Sequence, residues 1–314
     1  MDISIIICSY NRCESLEKVL ESVQGLNCPP GASWETLVVD NNSSDATKAT
    51  VERFVGKGRG DIRYLFEGRQ GKSHALNTGI ERAAGQILAF TDDDVLFDPD
   101  WLVRIKETFD RHGCAGIGGK IIPVIDGKKP SWLSTDTPTP FLNVLGSFDL
   151  GNEGRELTVP CYGANMAYKK EVITRHGLFR FDLGPRGEDT EISLRLLARG
   201  ERLRYVPDAV VYHRVQREKL EKKAFRSSYI GYGRFKAKSE RESLPKGQRY
   251  CFGVPRFLYK TLLKKWLKWL FNFDPKLRVR DELEFYECVG RALEYLATRN
   301  SLEPSTIKTN GVKV

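Results

Sequence analysis

No stretch of the 314 residues approaches the roughly 20 consecutive apolar side chains that a membrane-spanning helix requires. The N-terminus also lacks the basic and small-residue flanks of a secretory signal, so the expected address is the cytoplasm. The seven cysteines (Cys8, Cys13, Cys28, Cys114, Cys161, Cys251, Cys288) are odd in number and scattered. None forms a CxxC pair, which argues against a disulfide framework or a cysteine zinc site and leaves reduced, mostly buried thiols. The GxGxxG fingerprint is missing after the first apolar run, which demotes nicotinamide and flavin enzymes. The GxxxxGK[ST] phosphate loop is missing as well. A nucleotide site without a glycine cradle needs another way to neutralise phosphate, and a metal ion held by carboxylates provides one.

What is present is the composition of a globular chain, 40% hydrophobic and 29% charged. The length accommodates one large domain and a smaller appendage. The net charge of +9 is unevenly placed. Residues 214–280 hold about 20 Lys and Arg against about 5 acids, so the remainder is slightly acidic. The expected division is therefore a domain over 1–215 and a basic helical region over 216–314.

Within the first part, apolar runs of strand length alternate with helical periodicity. Ile3–Cys8 precedes the spacing Leu16, Val19, Leu20, Val23; Glu35–Val39 precedes a helix over Ala46–Val55; Ile62–Phe66 precedes one over Ser73–Ala84. Gln86–Thr91 is a further strand, and Pro99 opens a helix at Asp100-Trp101-Leu102. Ala115–Val124 carries Gly118-Gly119, and Val159–Tyr168 reads as a strand before a helix start at Lys169. After Glu188-Asp189 a helix places Ile192, Leu194, Leu196 and Leu197 on its apolar positions, and strands Leu203–Val206 and Ala209–Tyr212 deliver His213. The alternation predicts an α/β fold, Rossmann-like, with a mostly parallel central sheet and helices on both faces. Ile125–Leu157, polar and rich in Gly, Pro and Thr, reads as a long excursion. Its Trp132, like Trp101, is a candidate contact for a flat substrate or a packing residue.

The organising stretch is Leu88–Pro99, where a strand ends in Asp92-Asp93-Asp94. Three adjacent acids repel one another and are costly to hold together unless a cation sits among them; a solvated turn capping the next helix is the plain alternative. In open α/β sheets ligands bind beyond the carboxyl ends of the strands, so Ser9, Tyr10, Asp40 and Asp92 to Asp94 are expected on one rim. Taken alone, Glu188-Asp189 also reads as a pair of first-turn stabilisers, Asn165 as a helix cap, and His213 as a satisfied structural histidine.

Together, Cys8-Ser9-Tyr10-Asn11, Val39–Asp45, Gly71–Asn77, Asp92-Asp93-Asp94, Gly163–Ala167, Gly187-Glu188-Asp189 and His213 resemble the motifs, in order, of the family-2 inverting glycosyltransferases with the GT-A fold. The resemblance runs from Met1 to about Val215. It implies that Ser9, Tyr10 and Asn11 line the base and ribose, that Asp40 accepts the N–H of a uracil-type base, and that Lys72 compensates the nucleotide's charge. Asp92 is then expected near the ribose or metal, and Asp93 at the nucleotide. Asp94, with Asp92 and His213, is expected to hold Mn²⁺ or Mg²⁺. Asp189 is the implied catalytic base with Glu188 beside it; Gly163 and Asn165 of the shared motif, together with Trp132 as a flat-substrate contact, are the acceptor-side candidates.

The implied reaction moves one sugar, with inversion, from a nucleotide-diphosphate sugar (UDP-sugar favoured) to a hydroxyl of a glycan or lipid-linked acceptor, in glycan, polysaccharide or glycolipid assembly. The QxxRW motif of processive relatives is missing, which points to single addition. Two alternatives stand beside it. A nucleotidyltransferase also uses paired acids and a metal, but Ser9–Arg12 offers no glycine for a triphosphate loop. A catalytically silent sugar-nucleotide-binding protein has no use for Asp92, Asp94 and Asp189 together.

In the basic region, Ser227–Arg234 resembles a segment that relatives use near the acceptor. Leu258, Leu262, Trp266, Trp269, Leu270 and Phe273 fall on one helical face, and Lys260, Lys264, Lys265 and Lys268 on the other. That is the pattern of an interfacial helix drawn to an anionic inner membrane face through 255–273, or of a solvated lysine face on a packed helix. No nucleic-acid module is visible. Glu282–Arg299 reads as a last helix and Asn300–Val314 as a loose tail.

Overall fold

The computed structural model describes residues 1–130, 132–133, 144–182, 187–241, 244 and 248–298; the expected tail Asn300–Val314 lies outside them. The chain divides into two compact units, Met1–Glu221 and Lys222–Val314. The division falls beyond residue 215 because the turn Arg217–Leu220 stays with the first unit, where Leu220 is buried and Lys219 reaches Asp94.

In the first unit, β1 (Ile3–Ser9), α1 (Cys13–Gln24), β2 (Trp34–Asp40), α2 (Thr47–Glu52), β3 (Asp61–Phe66), α3 (Lys72–Arg82) and β4 (Ile87–Asp92) alternate as their periods predict. Their strands lie in the order β3-β2-β1-β4, all parallel. Ile3, Ile5, Ile6 and Ile7 of β1 are fully buried, the continuous apolar run of a strand covered on both faces. Leu16, Val19, Leu20 and Val23 are the buried positions of α1. Register sets Ser9 beside Asp40 and Cys8 beside Asp92, so these strand ends open on one rim.

Then come β5 (Val95–Phe97), α4 (Trp101–His112), β6 (Gly116–Ile125), β7 (Arg155–Glu156), β8 (Met166–Lys169), α5 (Lys170–His176), α6 (Glu188–Ala198) and β9 (Leu203–Val215). The sheet continues β4-β8-β6-β9-β5, with β7 also on β9. The sheet is mostly parallel, since the long β6–β9 pairing is parallel and the antiparallel pairings of β5, β7 and β8 are short.

Several elements depart from their sequence pattern. The two strands expected around Pro207-Asp208 are one, β9, whose register against β6 shifts between Gly119 and Lys120. Pro207 has no N–H for a ladder, so the chain bulges there and resumes. The strand expected over Val159–Tyr168 is confined to β8, because the chain turns at Tyr162–Asn165, where the Asn165 N–H donates to the Tyr162 carbonyl. β5 has no counterpart in the sequence pattern, being too short to show a period. Leu194 is exposed, since α6 buries Ile192, Ser193 and Leu196 instead. The seven cysteines are all unpaired; Cys114, Cys161 and Cys288 are buried and Cys28 is exposed.

Asn165 ties the second half of the sheet together. It is fully buried; its Nδ2 donates to the carbonyls of Lys120 (2.9 Å) and Ala209 (2.8 Å), and its Oδ1 accepts from Trp101 Nε1 (2.9 Å). Asn165 thus faces the interior where an acceptor contact was expected, and Trp101, also fully buried, packs instead of meeting a substrate.

The second unit comprises α7 (Lys222–Arg241), the hairpin β10 (Tyr250–Cys251) and β11 (Val254–Pro255), α8 (Arg256–Phe271) and α9 (Pro275–Ala297). α9 starts at Pro275, well before Glu282, because proline's fixed φ suits a first helical position. α7 and α9 approach through glycines: a Cβ on Gly233 would sit 2.0 Å from the Glu287 carbonyl oxygen, and one on Gly290 2.1 Å from that of Ile230. Gly233 of the expected acceptor segment is accordingly a packing residue. The faces of α8 also differ from expectation. Leu258 is buried and Trp269 stacks on Phe285, while Lys265 and Lys268 pair with Glu284 and Asp281 of α9. No helix among the described residues is long and apolar enough to cross a membrane.

Replacing Asn165 with Ala removes three hydrogen bonds and strands two carbonyls and the buried Trp101 indole N–H. We expect a loss of about 2–4 kcal/mol, seen as a lower thermal unfolding midpoint.

Candidate active site

The rim is stitched by asparagines. Asn11, at φ 51°, accepts the Ser44 N–H on Oδ1 (2.7 Å), and its own N–H donates to Ser43 Oγ (2.9 Å). Asn41 then joins the next loop: its Nδ2 donates to the Glu67 (3.2 Å) and Arg69 (2.7 Å) carbonyls, and its Oδ1 accepts the Gly71 N–H (2.8 Å). Glu67 closes the same loop by accepting from the Arg69 N–H, the Arg69 guanidinium and Thr78. These donors, Arg69 foremost, hold the Glu67 carboxyl far below its ordinary value. The loops after β1, β2 and β3 are thereby one framework.

On that framework Asp40 is buried and takes one donor per oxygen, Tyr64 Oη (2.8 Å) and the Ser43 N–H (2.8 Å), leaving lone pairs for a further donor. Tyr10 is 50% exposed on the same rim. Ser9, expected to line a base, instead turns its hydroxyl into the acid cluster and donates to Asp93 Oδ2 (2.7 Å).

The acids are held by cations from separate elements. Arg12 places one guanidinium nitrogen 2.6 Å from Asp93 Oδ1 and 3.0 Å from Asp94 Oδ2. Lys219 reaches Asp94 Oδ2 at 2.8 Å. Lys72 lies 2.6 Å from Asp92 Oδ1 and 3.4 Å from Glu188 Oε1. Burial opposes the charge on Lys72, but Asp92, Glu188 and Asp189 outweigh it and raise its proton affinity well above that of a free lysine. Burial likewise opposes ionisation of Asp94, yet a proton on His213 Nε2, together with Lys219 and Arg12, holds its carboxyl below the usual range. For Asp93 burial prevails over Arg12, helped by the charge of Asp94, and for Glu188 burial prevails over Lys72; both carboxyls are raised. Sequence reasoning missed Arg12 and Lys219. Three adjacent acids announce that cations are needed, but only the tertiary fold says which ones arrive.

Among the described residues, no group of three or more His, Cys, Asp or Glu side chains is arranged to hold an ion. A pair is. His213 Nδ1 lies 2.8 Å from the Leu145 carbonyl, which can only accept, so Nδ1 carries the hydrogen of the neutral ring and Nε2 its lone pair. That lone pair faces Asp94 Oδ1 at 3.2 Å, and among the described residues this buried oxygen has no aligned donor. Two acceptors facing each other away from water suit a cation between them, either a proton or a divalent ion completed by ligand and water oxygens. β5–β9 pairing builds this, placing Val95 beside His213.

Asp189, in the first turn of α6, is only half-buried. Its Oδ2 accepts the Gly163 N–H (2.9 Å) and its Oδ1 the Thr190 N–H (2.7 Å). Gly163 borders both charges, since a Cβ there would lie 3.4 Å from Asp189 Oδ2 and from Lys72 Nζ, at van der Waals contact. The fold therefore gathers Asp92, Lys72, Glu188, Asp189 and Gly163 in one cluster, and joins Ser9, Asp93, Asp94, His213, Arg12 and Lys219 in the next. Trp132 is half-buried in the turn where the Leu133 N–H meets the Pro130 carbonyl. A separate cavity of about 800 Å³ opens at the amino ends of β1 and β4, lined by Asp2, Gly85, Lys106 and Lys170 among others, away from the acids.

The mostly parallel α/β sheet matches solved structures of the GT-A fold, which sets the class. Residues 4–177, more than half of the chain, match the family model described as glycosyl transferase family 2, and the chain belongs to that family. It is similar to the glucosyl-dolichyl phosphate glucuronosyltransferase of Haloferax volcanii, 26% identical over 74% of this chain and 76% of that one. It also resembles the succinoglycan biosynthesis protein ExoM of Rhizobium meliloti, 27% identical over 72% of this chain and 73% of that one. Among solved structures it superposes on a mannosyltransferase of Pyrobaculum calidifontis, in complex with GDP-Man and Mn²⁺, with a TM-score of 0.57 over 96% of this chain and 75% of that one. At 20% identity that likeness establishes the fold.

The Glu67 carboxyl titrates lower in the fold than in the free chain, so its contribution is complete above the ordinary carboxylate range and fades as pH falls through it. Glu67→Gln is expected to cost about 1–2 kcal/mol at pH 7, limited by the exposure of Arg69, with the gap from wild type closing in acid urea titrations.

Proposed function

We propose that the chain is a metal-dependent inverting glycosyltransferase that moves a single sugar from a nucleotide-diphosphate sugar, uridine favoured, to a hydroxyl of a glycan or lipid-linked acceptor at the cytoplasmic face of a membrane. Glycan, polysaccharide or glycolipid assembly is its setting. The observation that carries the proposal is Asp189, a carboxylate left partly open to solvent while the neighbouring Glu188 is buried against Lys72. A sugar hydroxyl holds its proton far above neutral pH, so a carboxylate must accept it as the new bond forms. The Gly163 and Thr190 N–H groups fix the orientation of Asp189 and leave one lone pair of Oδ2 free for that proton. Attack from this side, with the diphosphate leaving from the other, inverts the anomeric carbon. Double displacement needs a second carboxyl free to act as nucleophile, and Glu188 is not free.

Arg12, Lys72 and Lys219 supply positive charge at the rim for the diphosphate. Asp94 and His213, with Asp92 nearby in sequence, would hold Mn²⁺ or Mg²⁺, which when bound takes up negative charge developing on the leaving diphosphate. The mannosyltransferase complex with GDP-Man and Mn²⁺ supports this use of metal. Asp40 retains acceptor capacity for the imide N–H of uracil, which supports uridine. Trp132 and Gly163 take the acceptor side, with Asn165 bracing the sheet beneath.

Asp189→Asn is expected to retain donor binding by calorimetry while transfer falls about 10²–10⁴-fold. Transfer near the wild-type rate would remove Asp189 from its role, and a product of retained configuration by NMR would remove inversion. UDP binding is expected to weaken in EDTA and in Asp94→Ala; a preference for triphosphates would point instead to nucleotidyl transfer.

A further inference from the structure

The second unit carries an apolar surface that transfer of a sugar does not require. α8 is apolar on two sides. Its inner side packs on α9 through Leu258 and Trp269. Its outer side shows Leu263, Trp266, Leu267 and Leu270 at spacings of three and four, with Leu263 56% exposed. Apolar residues on a second side of a packed helix are ordinarily covered, and these are not. The patch is extended at both ends. At the amino end Tyr259 Oη donates to the Cys251 carbonyl (2.9 Å), which anchors the hairpin tip with its exposed Phe252 beside the first turn. Past the carboxyl end Phe273 is 85% exposed. Beside it, Leu262, Leu263 and Trp266 of α8 and Phe285, Val289 and Leu293 of α9 line a groove of about 460 Å³.

Charge identifies the occupant. The 16 residues of α8 include no carboxylate. Asp281, Glu282, Glu284, Glu287 and Glu294 of α9 are each engaged in ion pairs within the unit. Arg256, Lys260 and Lys264 are exposed on the outer side of α8, and their side chains form no ion pair among the described residues. A second copy meeting this face through a two-fold axis would set these cations against one another, with every acid of α9 already paired within its own unit and none on α8. A flat anionic surface with an apolar interior satisfies both the leucines and the lysines.

We propose that the outer face of α8, from Phe252 to Phe273, is an interfacial docking surface for a bilayer containing anionic phospholipid, with the leucines and Trp266 entering the acyl boundary and Arg256, Lys260 and Lys264 at the headgroups. It goes beyond the transferase function and does not rest on it, because docking is measured without donor or acceptor. The probe is co-sedimentation of the full chain with vesicles of phosphatidylcholine alone or with about one third phosphatidylglycerol, read together with tryptophan fluorescence. Binding to the anionic vesicles with a blue shift is expected, at least about tenfold weaker on the neutral ones and reduced by salt. The double variant Leu263→Glu/Leu270→Glu changes only exposed positions; with an unchanged circular dichroism spectrum it is expected to lower binding at least about tenfold. Lys260→Glu/Lys264→Glu, an independent variant, is expected to lower binding to anionic vesicles about tenfold. No binding to anionic vesicles, undiminished binding by both folded variants, or a wild-type dimer in light scattering that Leu263→Glu/Leu270→Glu converts to monomer would each overturn the proposal.

Discussion

Five carboxylates, Asp92, Asp93, Asp94, Glu188 and Asp189, end up close together at the rim of an apolar sheet, and their mutual repulsion must be answered by positive charge. The answers come from places far apart in the chain: Arg12 after β1, Lys72 at the start of α3 and Lys219 just beyond β9, while His213 near the end of β9 can share a further cation with Asp94. None of these pairings is local, so the electrostatics of the rim are satisfied only when the parallel half and the mixed half of the sheet have both formed. Partly buried pairs of this kind add little net stability, because desolvation offsets most of the attraction, but removing one partner is costly. Their consequence is specification. The acids can be tolerated in one arrangement of the loops, and that arrangement is the site.

The alternating strands and helices of residues 3–92 were legible because each strand is a β-branched run and each helix has a regular apolar period; α1 buries the four positions its spacing named. Beyond β4 the period fails for identifiable reasons. β5 is three residues long, β9 crosses a proline that ordinarily ends a strand, and the chain before β8 turns so that Gly163 can donate to Asp189. The acids of the site were legible, since adjacent carboxylates at a strand end are rare enough to notice. Their partners were not, because Arg12 and Lys219 look like any surface cation until the fold sets them beside Asp94. Asn165 shows the reverse case. Its motif drew attention toward the acceptor, whereas its three buried hydrogen bonds make it a brace between β6, β9 and α4.

In the second unit the difficulty was excess of signal. α8 has apolar residues on nearly every side, so two overlapping stripes can be drawn and the sequence does not say which meets α9. The stripe through Leu258 and Trp269 turns inward because it can stack on Phe285, and Lys265 and Lys268 go with it because Glu284 and Asp281 wait on α9. Half of the lysines that seemed to form a solvated face are thereby removed from it, and the leucines that remain outside are flanked only by Arg256, Lys260 and Lys264.

Glu188 and Asp189 are consecutive residues of the same helical turn, yet the fold gives them opposite environments. Glu188 is buried, raised in proton affinity by desolvation, and turned toward Lys72. Asp189 keeps contact with solvent and is aimed by two backbone N–H groups, one of them from Gly163, which borders both Asp189 and Lys72. In the proposed reaction a base must meet an incoming hydroxyl while the charge behind it stays fixed, and these two carboxyls divide that work: Glu188 anchors the lysine that screens Asp92, and Asp189 is left free to take the proton.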